Sequence, residues 1–291
     1  TVDSAGRRGR PTPYNTARQV VAFHRGSFGD CVDLDVIHDY AIDNSKIFQI
    51  WSDGGLSSPD NPQWALGGAG IILKDAPDLD LHGQAPGLVT YAHHEVQHGQ
   101  LCAFTPVPGP LCSSTRTELV GIILALCLPL QIDIATDSLN VVRTLNKIIM
   151  DHNFTPAKPW GLLDNGDLWA VIQILIQARR SNLTANVSVR KVKGHATPID
   201  VQKGVISSED AWGNDSADAL ATRGKKAHHH NLHTYAQFFV IKHTMYFRAL
   251  QALYKHIGLC MELDSEIRSD IQGEDSSPAQ GQHPGQVPRL P

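Results

Sequence analysis

The stretch "IFQIWSDGG", Ile47 to Gly55, is apolar and strand-like as far as Asp53, where a carboxylate is followed at once by two glycines. Asp-Gly is an ordinary turn signal. A buried strand that stops on an ionised carboxylate asks for more, because such a charge is costly in a low-dielectric site unless it is paired or binds a metal. What Asp53 does therefore depends on what the rest of the chain brings to it.

Working outward, "GGAGIILKD" (Gly67 to Asp75) reads as a second strand, and "GLVTYAHHEVQ" (Gly87 to Gln97) alternates well enough for a third. The spacer "APDLDLHGQAPG" looks like a hairpin connection. "STRTELVGIILALC" opens on Ser/Thr capping residues and then spaces Leu119, Ile122, Ile123 and Leu126 as a helix, which Pro129 ends. "QIDIATDS" is a fourth strand stopping at Asp137, and Ser138 starts the helix "SLNVVRTLNKIIM". After the loop "TPAKPWGLLDNG" comes a third amphipathic helix, "DLWAVIQILIQARR". "NVSVRKVKGH" alternates Val187, Val189 and Val192 as a fifth strand. A long polar loop with the acidic "SSED" leads to a short helix, "NDSADALATRG", closed by Gly224. The order βββ-α-β-α-α-β-α, with two crossovers, predicts an α/β fold: a five-stranded mixed sheet flanked by helices.

Two of these strands end alike, on Asp53 and on Asp137. Adjacent parallel strands that both end in Asp put two carboxylates at one sheet edge, where α/β sites form. Glu118 falls in the first turn of a helix whose apolar stripe packs on the sheet, and Asp218 in the first turn of the last helix. Four carboxylates converging in one place repel one another in the absence of a cation. Hard oxygen ligands of this kind suit Mg²⁺ or Mn²⁺. A metal role explains why the strand stops on Asp53.

With these residues placed, the chain resembles the type 1 ribonuclease H family. The matching pieces are "SDGG", "TRTELVGIILAL", "ATDS", "DLW", "KVKGHA" and "NDSADALA", in the family's order over about residues 45–225. The resemblance implies a ribonuclease H-like fold and hydrolysis of the RNA strand of RNA–DNA hybrids, leaving 5′-phosphate and 3′-hydroxyl ends. It implies that Asp53, Glu118, Asp137 and Asp218 hold Mg²⁺ (or Mn²⁺), two ions with substrate bound, and that His195 assists proton transfer or product release. It implies nucleic-acid contacts from Gly54, Thr115, Arg116 and Asn214. Asp215 competes for the fourth carboxylate; the family pattern favours Asp218 and leaves Asp215 to cap the helix. Ser114 and Thr115 stand where many members carry asparagines, Asn140 replaces a common aromatic, and Thr197 replaces a glycine after "GHA". Met150 to Asp167 lacks the lysine-dense protrusion with which some members grip hybrids, leaving Lys158 and Trp160 as its only trace. Members without it are often attached to a reverse transcriptase. With a first residue that is Thr1 and not Met, this favours a piece of a retroelement polyprotein, with an upstream reverse transcriptase as partner. The reading from another class is a catalytically idle, hybrid-binding or polymerase-supporting module; the presence of all four carboxylates argues against it.

Bulk properties frame these readings. The chain has 291 residues and a net charge of -4, so bulk charge does not announce a nucleic-acid binder. Its five cysteines form no CxxC pair and read as reduced thiols of a cytoplasmic or nuclear protein. The longest apolar run, Leu119 to Ala135, is interrupted by Pro129 and Asp133 and is too short for a comfortable membrane span. The expected organisation is a partly disordered extension with a basic "GRRGR" over 1–44, the ribonuclease H domain over 45–225, a helical extension over 226–263 and a disordered tail over 264–291. His93, His94, His98 and the run "HHHNLH" (His228 to His233) read as ordinary histidines without a metal set.

Overall fold

The computed structural model describes residues 46–61, 63–107, 112–181 and 186–275. The expectations for 1–44, with its basic arm, and for 276–291 lie outside the described residues. The chain divides into two compact units, Thr1–Val240 and Ile241–Pro291.

The first unit is built on one mixed sheet of β1 (Phe48–Leu56), β2 (Gly67–Leu73), β3 (His93–Gln97), β4 (Gln100–Val107), β5 (Ile132–Thr136) and β6 (Val187–Lys191). Their order across the sheet is β3-β4-β2-β1-β5-β6. β1 lies antiparallel to β2 and parallel to β5, which in turn lies parallel to β6. The sheet therefore has six strands, not the five expected. The stretch read as one strand over 87–97 is two elements. Short helices α1 (Leu81–Gln84) and α2 (Pro86–Tyr91) fill the presumed hairpin and the first half of the strand, with Pro86 in the first turn of α2, where its missing N–H costs nothing. The overlooked strand is β4, paired with both β2 and β3. It alternates regularly, with Leu101, Ala103, Thr105 and Val107 inward. Its outward Cys102 and Phe104 are also apolar, and Pro106 reads as a strand breaker, so the pattern is blurred in the sequence.

Helices α3 (Ser114–Leu126), α4 (Leu139–Met150) and α5 (Gly166–Ser181) cover one face of the sheet, and α7 (Ser208–Lys226) covers the other, after the short α6 (Pro198–Gln202). The two-residue period of the strands divides the core accordingly. Ile50, Ile71 and Ile134 point to the α3 side, while Trp51, Ile72 and Ala135 point to α7. α3 is buried from Thr117 to Leu126, so it is apolar nearly all round. The Arg179 guanidinium of α5, only 2% exposed, donates to the buried carbonyl of Leu126 at the end of α3 and to those of Leu128 and Leu130 just beyond.

α7 starts earlier and ends later than the sequence suggests. Ser207 caps it by accepting from the Asp210 N–H at 3.0 Å, and Glu209 and Asp210 lie in its first turn, where the helix dipole favours acid. The "SSED" segment is thus a helix start rather than a loop, and the helix passes through buried Gly224 to Lys226. Both ends of α7 are fastened. Arg190 of β6 bonds Asp133 at 2.6 Å and Asp210 at 2.7 Å, and the Trp51 indole donates to Asp210 at 3.0 Å. Near the other end Arg223 pairs with Glu95 and lies 4.3 Å over the Phe104 ring.

Helix α8 (His230–Asp275) continues past Asp264, where disorder was expected. Good helix formers persist there, Asp264 and Arg268 pair at 2.9 Å one turn apart, and the first glycine after Asp264 is Gly273. Among the described residues no helix is long and apolar enough to cross a membrane.

Candidate metal centre

The register of β1 and β5 aligns Trp51 with Ala135, which brings Asp53 level with Asp137 two residues on. Asp53 is still within β1, and Asp137 follows the last residue of β5. Glu118 arrives from the other side of the sheet edge as the fifth residue of α3, whose cap is Ser113. One oxygen from each of Asp53, Glu118 and Asp137 lies within 4.8 Å of the others. Among the described residues this is the one group of acids, histidines or cysteines compact enough to hold a metal ion.

Close packing makes this approach possible. A Cβ on Gly54 would stand 2.4 Å from the Glu118 nitrogen, so only glycine lets β1 lie against the first turns of α3. A Cβ on Gly194 would stand 2.1 Å from Asp137 Oδ2, so the turn after β6 lies directly against the Asp137 carboxylate. That turn carries His195, exposed and in the left-handed region at φ 49°. The imidazole is thus presented to solvent from a loop beside the acids.

The electrostatics are those of buried, mutually repelling acids. Burial, then the charge of Asp137, raises the Asp53 carboxyl from 3.8 to about 6 against the opposing pull of the Gly54 N–H. Burial, then Asp53 and Asp137, holds Glu118 well above its ordinary 4.5. Glu118 shares a hydrogen bond with Asp53 and accepts another from the Thr136 hydroxyl at 3.2 Å. Without a cation the charges repel, and both acids bind a proton more tightly than an isolated carboxyl does. An all-oxygen, mutually repelling donor set fits a hard divalent cation such as Mg²⁺ or Mn²⁺.

The remaining expected residues separate. Asp218 is the eleventh residue of α7, not in its first turn; it is half-buried, stands outside the close triad, and its charge acts on Asp53. Asp215 is exposed within the same helix, and the cap is Ser207 rather than Asp215. Thr115 is half-buried at the start of α3. Arg116 is engaged by both oxygens of Asp167, at 3.0 and 2.6 Å. Asn214 is only 2% exposed, which leaves little of it for a ligand to touch. Sequence reasoning missed Thr136, although it precedes Asp137 in "IATDS", and Lys225. The Lys225 ammonium lies 3.0 Å from where a Gly55 Cβ would be, on the face of β1 that Asp53 shares. His228, the first of the histidine run, is buried, with Nε2 2.7 Å from the Gly67 carbonyl. A separate cleft of about 320 Å³ lies by Lys74, at the far end of β2 from the triad, and the 2.6 Å Lys74–Glu209 pair stands in its lining.

Residues 49–226 match the sequence model of the RNase H family. The chain belongs to that family. Membership rests on this match, which spans the sheet, all three close acids and Asp218. A search of curated proteins finds no match. Among solved structures, the PFV RNase H domain in solution is 20% identical, with 62% of this chain and 94% of that one covered and a TM-score of 0.38. A foamy viral protease-reverse transcriptase in complex with RNA/DNA hybrid is 16% identical, with 62% of this chain and 20% of that one covered and a TM-score of 0.39. LC9-RNase H1, a type 1 RNase H with the type 2 active-site motif, is 15% identical, with 63% and 74% covered and a TM-score of 0.38.

Proposed function

We propose that this RNase H domain is a metal-dependent endonuclease that cuts the RNA strand of RNA–DNA hybrids. The observation that carries the reading is the convergence of Asp53 within β1, Asp137 just after the parallel β5 and Glu118 near the start of α3, in a chain of this family. Asp53, Glu118, Asp137 and, from α7, Asp218 are the residues to hold the metal. Two Mg²⁺ or Mn²⁺ ions bound there with substrate would lower the pKa of a water and stabilise the leaving 3′ oxygen. The Thr136 hydroxyl orients Glu118, and the Gly54 N–H orients Asp53 through a 2.7 Å bond to Oδ1. His195, exposed beside Asp137, takes or gives a proton at the edge of the site. The products are 5′-phosphate and 3′-hydroxyl ends, and contacts to 2′-hydroxyls select the RNA strand.

Grip on the hybrid comes in part from elsewhere. Between α4 and α5 the chain offers Lys158 but no basic helix, only the 3₁₀ turn Trp160–Leu162. This supports the reading in which a polymerase domain of the same polyprotein supplies the rest. The test is incubation of the full chain with hybrid labelled on either strand, with Mg²⁺, Mn²⁺ or EDTA. Cleavage of the RNA strand that stops in EDTA is expected. Cutting that persists in EDTA would sink the metal mechanism, and binding without cutting under any metal would establish the idle module instead.

A further inference from the structure

Helix α8 leaves a row of apolar side chains uncovered. Its large apolar residues from Ile241 to Ile271 that reach the surface are 44% to 71% exposed. Isolated helices are marginal in water and gain their stability from packing one face. Soluble proteins rarely leave a contiguous apolar row of this kind open unless something binds it. Upstream, Phe239 is already engaged, stacked on Trp64 at 4.2 Å. From Tyr246 onward one row of apolar positions recurs at alternating steps of four and three residues as far as Ile271, broken within the row only by Asp264, with Phe247, Tyr254, Leu259, Met261 and Leu263 lying off it. A strict 3.5-residue period is the mark of a helix paired along its length with another helix. A straight helix of 3.6 residues per turn would drift about 20° per heptad from such a row.

We infer that α8 pairs with α8 of a second copy of this chain, antiparallel, in a two-fold symmetric coiled coil spanning Tyr246 to Ile271. The row is complementary to itself in one antiparallel register. With Tyr246 opposite the partner's Ile271, Leu250 meets the partner's Ile267, Leu253 meets the partner's Asp264, and Ile257 meets the partner's Cys260. Each layer occurs twice by symmetry, so the interface is isologous. Asp264 enters its layer already paired with its own Arg268 at 2.9 Å. At the flanking positions Phe247 faces the partner's Arg268, a cation–π arrangement, and Tyr254 faces the partner's Met261, a sulfur–aromatic one. The paired length is about 38 Å at 1.5 Å per residue.

Charge selects this direction over the parallel one. The first part of the helix carries Lys242, Arg248 and Lys255, and the second carries Glu262, Asp264, Glu266 and Asp270 against one Arg268. Antiparallel pairing sets unlike halves and opposed helix dipoles side by side. Parallel pairing would set Asp264 against Asp264 inside the seam, where like charges repel most. The occupant is a second copy because the self-matching register and the two-halved charge both belong to this one helix.

The test uses the full chain and does not depend on the nuclease reading. Sedimentation equilibrium at tens of micromolar is expected to give twice the 31.8 kDa of one chain. Ile257→Asp should return it to one chain with hybrid cleavage unchanged. Direction is read by disulfide trapping in a chain with Cys260→Ser, which by itself sets the background. Leu250→Cys mixed with Ile267→Cys should trap a dimer under mild oxidation, while neither variant alone should do so. A wild-type chain that sediments as a monomer, trimer or tetramer overturns the proposal. So does a Leu250→Cys chain that cross-links to itself, which is the parallel arrangement.

Discussion

Replacing Asp53 by asparagine should make the metal-free protein more stable at neutral pH while abolishing hybrid cleavage. The carboxyl is raised from 3.8 to about 6 by burial first and by Asp137 second. An acid with a raised folded pKa holds its proton more tightly when folded. Its contribution is therefore complete below about pH 3.8 and is lost as pH rises through about 6. About two pKa units at 1.36 kcal/mol each make the ionised site cost about 3 kcal/mol at pH 7.5. That cost belongs to Asp53 and Glu118 jointly, because they share a hydrogen bond and each raises or lowers the other's proton affinity. Asparagine keeps the shape and the acceptor for the Gly54 N–H but carries no charge. For a domain of this size about 3 kcal/mol corresponds to a rise in melting temperature of about 6–12 °C. The assay is thermal melting of wild type and Asp53→Asn in EDTA at pH 4 and at pH 7.5. The gain should appear at pH 7.5 and nearly vanish at pH 4, and added Mg²⁺ should stabilise the wild type more than the variant. A variant no more stable than wild type at pH 7.5, or equally favoured at both pH values, would refute the account of Asp53 as an ionised buried acid.

Three further outcomes are expected. His195→Ala should slow cleavage without ending it, within the factor of about 10² to 10⁴ that acid–base help is worth; a loss as complete as that of Asp137→Asn, measured under single turnover, would reassign the histidine. Arg179→Met should lower stability in urea titration by about 2 kcal/mol or more, since it removes a donor from three buried carbonyls, of which Leu128 keeps its bond from the Leu130 N–H, at about 1–3 kcal/mol for each group left unsatisfied; an unchanged midpoint would show that the carbonyls find other partners. Lys225→Ala should weaken hybrid binding evenly across sequences and flatten the plot of log affinity against log salt by about one unit, whereas an unchanged slope would place Lys225 away from phosphate.

The close acids were legible because their signal is local. In the sequence a carboxylate interrupts an apolar strand pattern at Asp53 and at Asp137, although β1 itself runs on past Asp53 to Leu56 and Asp137 follows the last residue of β5. Glu118 was legible because a capped start and an apolar stripe fix where α3 begins. Asp218 was expected in the first turn of its helix and is instead the eleventh residue of α7. The first half of α7, "SEDAWGND", has almost no apolar period, and its helical state comes from the Ser207 cap and the dipole-matched acids. Strand β4 was hidden by Phe104, an outward residue that is not solvated; it lies under Arg223 and stacks on His93 at 5.2 Å. Arg179 could not be foreseen at all, since a buried arginine bonded to backbone carbonyls some fifty residues away leaves no trace in local pattern.

The fastening of α7 at both ends bears on where Asp218 stands. Arg190 and Trp51 hold the helix at Asp210, and Glu95 and Phe104 hold it at Arg223. A rod pinned at two points can neither slide along its axis nor roll about it. Asp218 lies between the pins, eight residues from one and five from the other. The two pins thus fix the stretch of backbone from which the Asp218 charge acts on Asp53. On the proposed metal role, the three close acids and the pinned helix form one frame, and Asp218 would meet an ion from a backbone position that the two ends of α7 set.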